Sequence, residues 1–419
     1  MTPQLATLLE QLLGRDLPIA IEAYDGSRLG PADAPATLQI RSPAALRRIV
    51  QAPGELGFGR AYVAGDLDLE GDIFAALALR DHLPDVKLRP AQWMAAIRLV
   101  GPGALKPVPK PPEEARLHGR RHSKRRDAAA ISHHYDVSND FYRRVLGPSM
   151  TYSCAVWTDP ASTLEEAQAN KHELICRKLG LEPGMRLLDI GCGWGGMLLH
   201  AAEHHGVQAV GVTLSKRQAE LAEKRAAEAG LAGKVEVRYQ DYRDVDDGPY
   251  DAISSIGMFE HVGLRQLAVY FERCFELLPA GGRLLNHAIS RPPGVGGSTA
   301  DGRARFARRS FIDRYVFPDG ELHEIGSVIS AIQRAGFEAR HMETLREHYA
   351  LTLRAWVANL EANWDACVAD AGRARARIWR LYMAASALQF EANRTQVHQV
   401  LATKTDDGRS GLPLRPRFE

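Results

Sequence analysis

No stretch of the 419 residues is both apolar and uncharged over the roughly 20 positions that a membrane span needs. A transmembrane helix is therefore not expected. The N-terminus, MTPQLATLLEQLLGRDLPIAI, lacks a basic start, an unbroken apolar run and a small-residue cleavage site, so it does not read as a secretory signal. An excess of one charge is also missing. Lys and Arg total 53 against 51 Asp and Glu, a formal charge of +2, which gives bulk electrostatics no hold on nucleic acid. Cysteine is sparse: Cys154, Cys176, Cys192, Cys274 and Cys367 are odd in number, scattered and without CxxC spacing. They suggest neither a disulfide framework nor a zinc site, and a reducing, cytoplasmic setting without a bound metal is expected. No internal repeat is present.

Three regions differ in pattern. Residues 1–102 alternate short elements: a helical spacing at Leu5, Leu8, Leu9, Leu12 and Leu13, strand-like IAIEAYDG and ATLQI, helical SPAALRRIV and a Gly-rich segment, LGFGRAYVAGDLDLEGD. That mixture predicts a small α+β domain. Residues 103–129 form a Pro-rich and then basic linker in which Arg120, Arg121, Lys124, Arg125 and Arg126 cluster. It reads either as a solvated connector or as a contact for anionic headgroups. From residue 130 to 404, apolar pieces MRLLDIG, VQAVGVTL, VEVRY, YDAISSIG and GRLLNHAI alternate with amphipathic helical stretches. Continuous apolar strands joined by helices predict a parallel sheet covered on both faces. After residue 300 the patterns are helical, and residues 405–419 are expected to be mobile.

The sharpest local signal is LLDIGCGWGG, residues 187–196. A buried strand ends at Asp189 and Ile190, and Gly191 and Gly193 then let the backbone turn and approach a ligand closely. The spacing is not the GxGxxG of dinucleotide-binding dehydrogenases. It resembles the turn that holds S-adenosylmethionine in Rossmann-like methyltransferases, a reading favoured over a dehydrogenase on motif context. Beyond the second strand, where many methyltransferases place an acid, this chain offers Thr213, Ser215 and Gln218, and Ser215 with Gln218 also fits a helix capping box. Gln240, Asp241 and Tyr242 follow the third strand, where an adenine edge would lie.

HYDVSNDFY (134–142), MTYSCAVW (150–157), LLDIGCGWGG, GVTLSKRQ, QDYRD, SIGMFEHVG (255–263) and FIDRYVFPDGEL (311–322) stand in one order. Together they resemble the cyclopropane-fatty-acyl-phospholipid synthases, a family that includes the mycolic acid cyclopropane synthases and methylene-forming actinobacterial relatives. The likeness spans residues 130–400, and the first hundred residues resemble the N-terminal domain of the phospholipid-acting members. It implies an α/β fold: a Rossmann-like class I methyltransferase domain with added helices, plus a small N-terminal α+β domain for lipid or dimer contact. Cofactor contacts would fall on Tyr135, Tyr152, Ser153, Asp189, Gly191, Gly193, Thr213, Leu214, Gln218, Gln240, Asp241 and Tyr242. A catalytic bicarbonate would be held by Cys154, Glu260, His287 and Tyr349 and by the backbone at Ile289. Many members carry a late cysteine where this chain has Ser386, which is given no catalytic role. Cys192 is read as packing. His133, His134, His204, His205 and His261 are read as structural or exposed.

The chemistry asks for such a site. An alkene has no proton to lose before it attacks a sulfonium methyl, so alignment in a dry pocket is the first requirement. The resulting cation needs apolar and aromatic surroundings, for which Tyr152, Trp157, Phe259 and Tyr349 are candidates. A nearby weak base then removes a proton from the new methyl. Ring closure gives a cyclopropane; a prior hydride shift gives a methylene branch. The expected partners are unsaturated phospholipid at an anionic membrane surface, reached peripherally by the basic segment and PAQWMAAIRLVG (90–101), a second copy in a homodimer, and a reductase where the product is a methylene branch. The alternatives are a small-molecule methyltransferase and a lipid-binding protein with a degenerate cofactor turn.

Overall fold

The computed structural model describes residues 5–14, 16–82, 106–115, 123–124, 126–127, 138–293 and 310–418. The chain divides into two compact units. The first takes in residues 1–115, 309–316 and 364–388; the second takes in 116–308, 317–363 and 389–419.

In the first unit β1 (Ala20–Ala23), β2 (Arg28–Leu29), β3 (Ala36–Ile40) and β4 (Leu67–Gly71) form a sheet in the order β2-β1-β3-β4. Only β1 and β3 run parallel. The helix Pro43–Gln51 starts where it should: the Ser42 hydroxyl accepts from Ala44 N at 3.2 Å, and a proline occupies the first turn. The Gly-rich segment folds as the helix Glu55–Ala64, ended by Gly65 in the left-handed region, and then as β4. A Cβ on Gly59 would lie 2.2 Å from the Phe311 ring, so this helix can seat the Phe311–Tyr315 helix only as glycine there.

Late residues complete this unit. The buried Arg377 donates to Tyr62 O at 2.8 Å and to Asp68 at 2.6 Å, and Arg380 donates to Leu69 O at 3.0 Å. The boundaries drawn at 102 and 130 from composition are therefore not those of the compact units, because residues 309–316 and 364–388, Ser386 among them, join the first.

The second unit is built on seven strands, β5 (Arg186–Ile190), β6 (Gln208–Thr213), β7 (Val235–Tyr239), β8 (Ala252–Ile256), β9 (Arg283–Ser290), β10 (Glu338–Thr344) and β11 (Gln396–Thr403), in the order β10-β11-β9-β8-β5-β6-β7. All five strands expected from the apolar pieces are present. Successive residues feed opposite faces. Leu188, Val210 and Leu284 join one core with the helices Leu267–Glu276 and Ile325–Arg334. Their neighbours Leu187, Ala209 and Leu285 join another with Leu164–Leu179, Gly196–His204 and Lys216–Glu228. Burial of each such Leu or Val contributes about 1.5–3 kcal/mol. The fold is that of a Rossmann-like methyltransferase.

Two expectations about the C-terminal part are corrected. The region after residue 300, expected to be helical, also holds two strands: β10 at the sheet edge, and β11, which inserts antiparallel between β9 and β10. The tail from 405 is packed rather than mobile, since Asp406 pairs with Arg409, Gly411 O accepts from Arg283 at 3.0 Å, and the Phe418 ring lies 5.1 Å from His341. Among the described residues no helix is long and apolar enough to cross a membrane.

Candidate active site

β5 delivers Asp189 and the glycine turn to the C-terminal edge of the sheet. Gly191 (φ 81°) and Gly193 (φ 54°) are left-handed, and both Gly191 N and Cys192 N donate to Val212 O, at 2.9 and 3.1 Å. A Cβ on Gly191 would sit 2.8 Å from the Met258 side chain, whereas one on Gly193 would meet open space. The turn borders a cleft of about 1100 Å³, the solvent at its mouth included. Tyr152, Ser153, Asp189, Gly191, Gly193, Thr213, Leu214, Gln218, Gln240, Asp241 and Tyr242 all line it. Tyr135 lies outside the described residues.

Most polar groups of the cleft are already paired. Thr213 Oγ1 donates to Gln218 Oε1 at 2.8 Å, and Ser215 caps the Lys216–Glu228 helix by accepting from Gln218 N. Ser215 is thus a cap, while the Gln218 side chain turns to the cleft instead of closing a capping box. Asp241 accepts from Arg243 N at 3.0 Å and ion-pairs with its guanidinium at 2.6 Å. Asp189 accepts from Ser254 Oγ at 2.7 Å, and its burial pushes the carboxyl up to about 6 against that bond and the nearby Lys171 charge.

None of the predicted catalytic residues is among those lining the cleft, and the elements that carry them are connected through the pairing of β9 with β11. Glu260, in the 3₁₀ turn Phe259–His261, accepts from Ile289 N at 2.6 Å through Oε1. His287 lies two residues before Ile289 on β9. Cys154 Sγ donates to Ala155 O at 3.2 Å and to Leu345 O at 3.5 Å, and Tyr349 N bonds the same Leu345 O at 3.0 Å. Leu345 N in turn donates to Val397 O on β11, which pairs with Ile289.

Two buried atoms in this group have no hydrogen-bond partner among the described residues: Glu260 Oε2 and His287 Nε2. Burial pushes the Glu260 carboxyl up to about 7 against the pull of the Ile289 N–H. Burial and the Lys171 and Lys178 charges hold His287 neutral, well below the usual imidazole range. Its tautomer is set from behind. Lys178 Nζ donates to Gln399 Oε1 at 2.7 Å, so the Gln399 amide must turn Nε2 toward His287 Nδ1, 3.2 Å away. Nδ1 then accepts, and the proton sits on Nε2, facing the unpartnered side. Burial also raises the Cys154 thiol above its ordinary range, which keeps it a neutral donor.

Several residues differ from expectation. Tyr152 and Tyr349 share one aromatic partner, Trp356, with ring centroids 5.2 and 6.0 Å away. Trp356 was not foreseen. The ring of Phe259 instead packs on Phe271 and Tyr270 in the core, and Trp157 donates its Nε1 to Thr352 at 3.1 Å. His261, expected to be structural, lines the cleft. Lys171 was also missed: it is buried in the cleft wall, donates to Ser153 Oγ at 3.0 Å, and loses its proton readily, burial bringing it down to about 7. Its signal was legible, because it falls on the buried stripe Leu164, Gln168, Lys171, Ile175, Leu179, where a lysine has no packing reason to be.

Of the basic cluster, Lys124 and Arg126 are engaged within the chain, with Asp244 at 2.6 Å and Asp319 at 2.5 Å. Arg120, Arg121, Arg125 and the 90–101 stretch lie outside the described residues.

Known proteins match this arrangement. A "Probable fatty acid methyltransferase" of Mycobacterium tuberculosis is 48% identical over 414 residues, covering 96% of this chain and 95% of its own length. The cyclopropane-fatty-acyl-phospholipid synthase of Escherichia coli is 34% identical over 372 residues, 88% of each chain. Among solved structures, a mycolic acid cyclopropane synthase complexed with SAH and CTAB superposes with a TM-score of 0.61 at 34% identity, covering 66% of this chain and 98% of that one. The family model described as mycolic acid cyclopropane synthetase matches residues 122–400, two thirds of the sequence and all of the site just described. The chain belongs to the mycolic acid cyclopropane synthetase family of S-adenosylmethionine-dependent methyltransferases.

Proposed function

We propose that the chain methylates a carbon–carbon double bond in the acyl chain of a membrane phospholipid, with a bicarbonate held by Cys154, Glu260, His287 and Tyr349, while Ile289 N, expected to hold it too, is engaged by Glu260 Oε1. The observation that carries this reading is the pair of buried, unpartnered atoms, Glu260 Oε2 and His287 Nε2. One accepts a hydrogen bond and the other donates one. Glu260 Oε2 and His287 Nε2–H would together hold a small anion able both to donate and to accept a hydrogen bond, as bicarbonate can. A bare carboxylate in the same place would instead face Glu260 as a like charge.

Bound S-adenosylmethionine supplies the electrophilic methyl group, and bound bicarbonate supplies a weak base at the new methyl carbon. The chain's residues do the rest. The glycine turn, Thr213 with Gln218, and Asp241 hold the nucleoside end. The alkene π pair forms the new C–C bond as the S–CH₃ bond breaks, which leaves a cation on the acyl chain. The faces of Tyr152, Tyr349 and Trp356 stabilise that cation by about 0.5–2 kcal/mol each. Burial around Glu260 and His287 excludes the water that would otherwise capture it. Loss of a methyl proton with ring closure gives a cyclopropane; loss after a hydride shift gives a methylene branch.

Phospholipid as substrate is supported by the likeness of the first hundred residues to the phospholipid-acting synthases and by the basic composition of the linker, with Arg120, Arg121 and Arg125 in its sequence. The test is incubation of the chain with methyl-labelled S-adenosylmethionine and vesicles of defined unsaturated phospholipid. Label should enter the acyl chain, and NMR of that chain should show ring or exocyclic methylene protons. Label found only in small amines or alcohols would overturn the reading.

A further inference from the structure

A second cluster of chemically active side chains lies apart from the predicted catalytic residues. Cys176 and Glu173 sit one turn apart on the helix Leu164–Leu179, His200 is on the helix Gly196–His204, and His205 caps that second helix. No local pattern joins them, since Cys176 is more than twenty residues from either histidine. In the fold the Cys176 sulfur and one ring nitrogen from each histidine lie within 4.8 Å of one another. Glu173 Oε2 is 2.9 Å from His205 Nε2 and 3.4 Å from His200 Nε2.

We propose that Cys176, His200, His205 and Glu173 form a binding site for one zinc-class divalent cation. The donor set is one thiolate, two imidazoles and one carboxylate, which suits Zn²⁺ and not the oxygen-seeking Mg²⁺ or Ca²⁺. With bonds of about 2.0–2.3 Å, tetrahedral ligand atoms lie about 3.3–3.7 Å apart. Glu173 Oε2 is 2.9 and 3.4 Å from the two histidines, and the sulfur has up to about 1.5 Å to close on a nitrogen of each ring, whereas the carboxylate lies outside that 4.8 Å group and must move further to join it. The charges cancel: a dication against one thiolate and one carboxylate leaves no net charge to bury, and binding releases the thiol proton to solvent. Arg177 Nε holds the other carboxylate oxygen of Glu173 at 2.7 Å, which orients Oε2 toward the rings. Cys176 is wholly buried and forms the floor, while the histidines and Glu173 are half-buried and give a way in.

Four protein ligands leave no open position, so the site is structural. Its consequence is mechanical. It ties the helix that carries Lys171 and His172 into the cofactor cleft to the helix that begins directly after the glycine turn. This role does not depend on which lipid is methylated.

The experiment uses the full-length chain, stripped with chelator and titrated with Co²⁺. We expect one equivalent to bind, with a thiolate-to-cobalt charge-transfer band and the strong visible bands of tetrahedral cobalt. Zn²⁺ should displace it and raise the melting temperature. His205→Ala should weaken Zn²⁺ by more than about tenfold, since even outer-shell losses cost that much. Cys176→Ser should abolish the charge-transfer band; where that buried change impairs folding, the half-exposed His205→Ala and His200→Ala carry the test. A wild-type chain without these bands would overturn the proposal. So would bands that survive unchanged in both histidine variants.

Discussion

The two halves of the site treat their polar groups in opposite ways. In the cofactor half, Thr213 bonds Gln218, Asp241 bonds Arg243 and Asp189 bonds Ser254, so the cleft is polar yet self-satisfied. In the catalytic half, Glu260 Oε2 and His287 Nε2 are buried and left over. A buried polar atom without a partner costs about 1–3 kcal/mol. An anion bound between the two would remove that cost. On the proposed reading the first half is open and stable when empty, and the second is completed by the bound anion. Removing a group from the second half should thus strike turnover, whereas damage to the first should strike binding.

The sharpest break of this contrast is Glu260→Gln. The amide keeps the volume and the bond to Ile289 N cannot be accepted by its NH₂ end, but its oxygen can still take it, so the turn should persist. Turnover should fall about 10²–10⁴-fold, the range for a lost proton-handling group, while S-adenosylmethionine affinity measured by calorimetry stays within a factor of about two. Equal loss of both would erase the distinction between the halves. Gly191→Ala should do the reverse. Its left-handed φ costs an alanine about 1–2 kcal/mol, and its Cβ must displace Met258 from a contact of 2.8 Å. The Kd for the cofactor should rise at least about tenfold, with kcat at saturation much less affected. Gln399→Leu is milder. It frees the His287 tautomer without touching the cleft, and kcat should drop on the order of tenfold with an unchanged KM for S-adenosylmethionine. A variant with unaltered kcat would show that Gln399 does not position His287.

The same contrast explains what the sequence could tell. The cofactor half is made from local devices: a strand end, a glycine turn, the Ser215 cap and the Asp241 turn, each encoded within a few residues. Asp189, Gly191, Gly193, Thr213, Gln218, Gln240, Asp241 and Tyr242, which line the cleft, were legible for that reason, whereas Tyr152, Ser153 and Leu214 were named only through family likeness. The catalytic half depends on β11 pairing with β9, over a separation of about a hundred residues, and no local pattern announces that register. Cys154, Glu260, His287 and Tyr349 were named only through family likeness. Trp356 and Gln399 escaped because nothing near them in the chain hints at Tyr152 or His287. The helical pattern from 353 to 394 breaks at Asn363 and Gly372, and residues 364–388 join the other unit. Helical periodicity reports which face is buried, not against what.

The smallest effect is in stability, and it gives the two halves opposite signs. Glu260 rises from 4.5 to about 7 on folding, so between those values the folded chain keeps a proton that the unfolded chain has lost. Stability then falls as pH rises across that window. Lys171, on the cleft side, drops from 10.5 to about 7, so between 7 and 10.5 the unfolded chain binds the extra proton and stability rises with pH. Each group contributes a slope of at most about 1.4 kcal/mol per pH unit. Urea unfolding of the wild type, Glu260→Gln and Lys171→Met from pH 5 to about 10 should separate them. The Gln variant should gain on the wild type as pH rises from 5 to 7 and run parallel above. The Met variant should hold its full advantage below 7 and lose it toward 10. Curves parallel over the whole range would mean that neither group is buried in the state that folds.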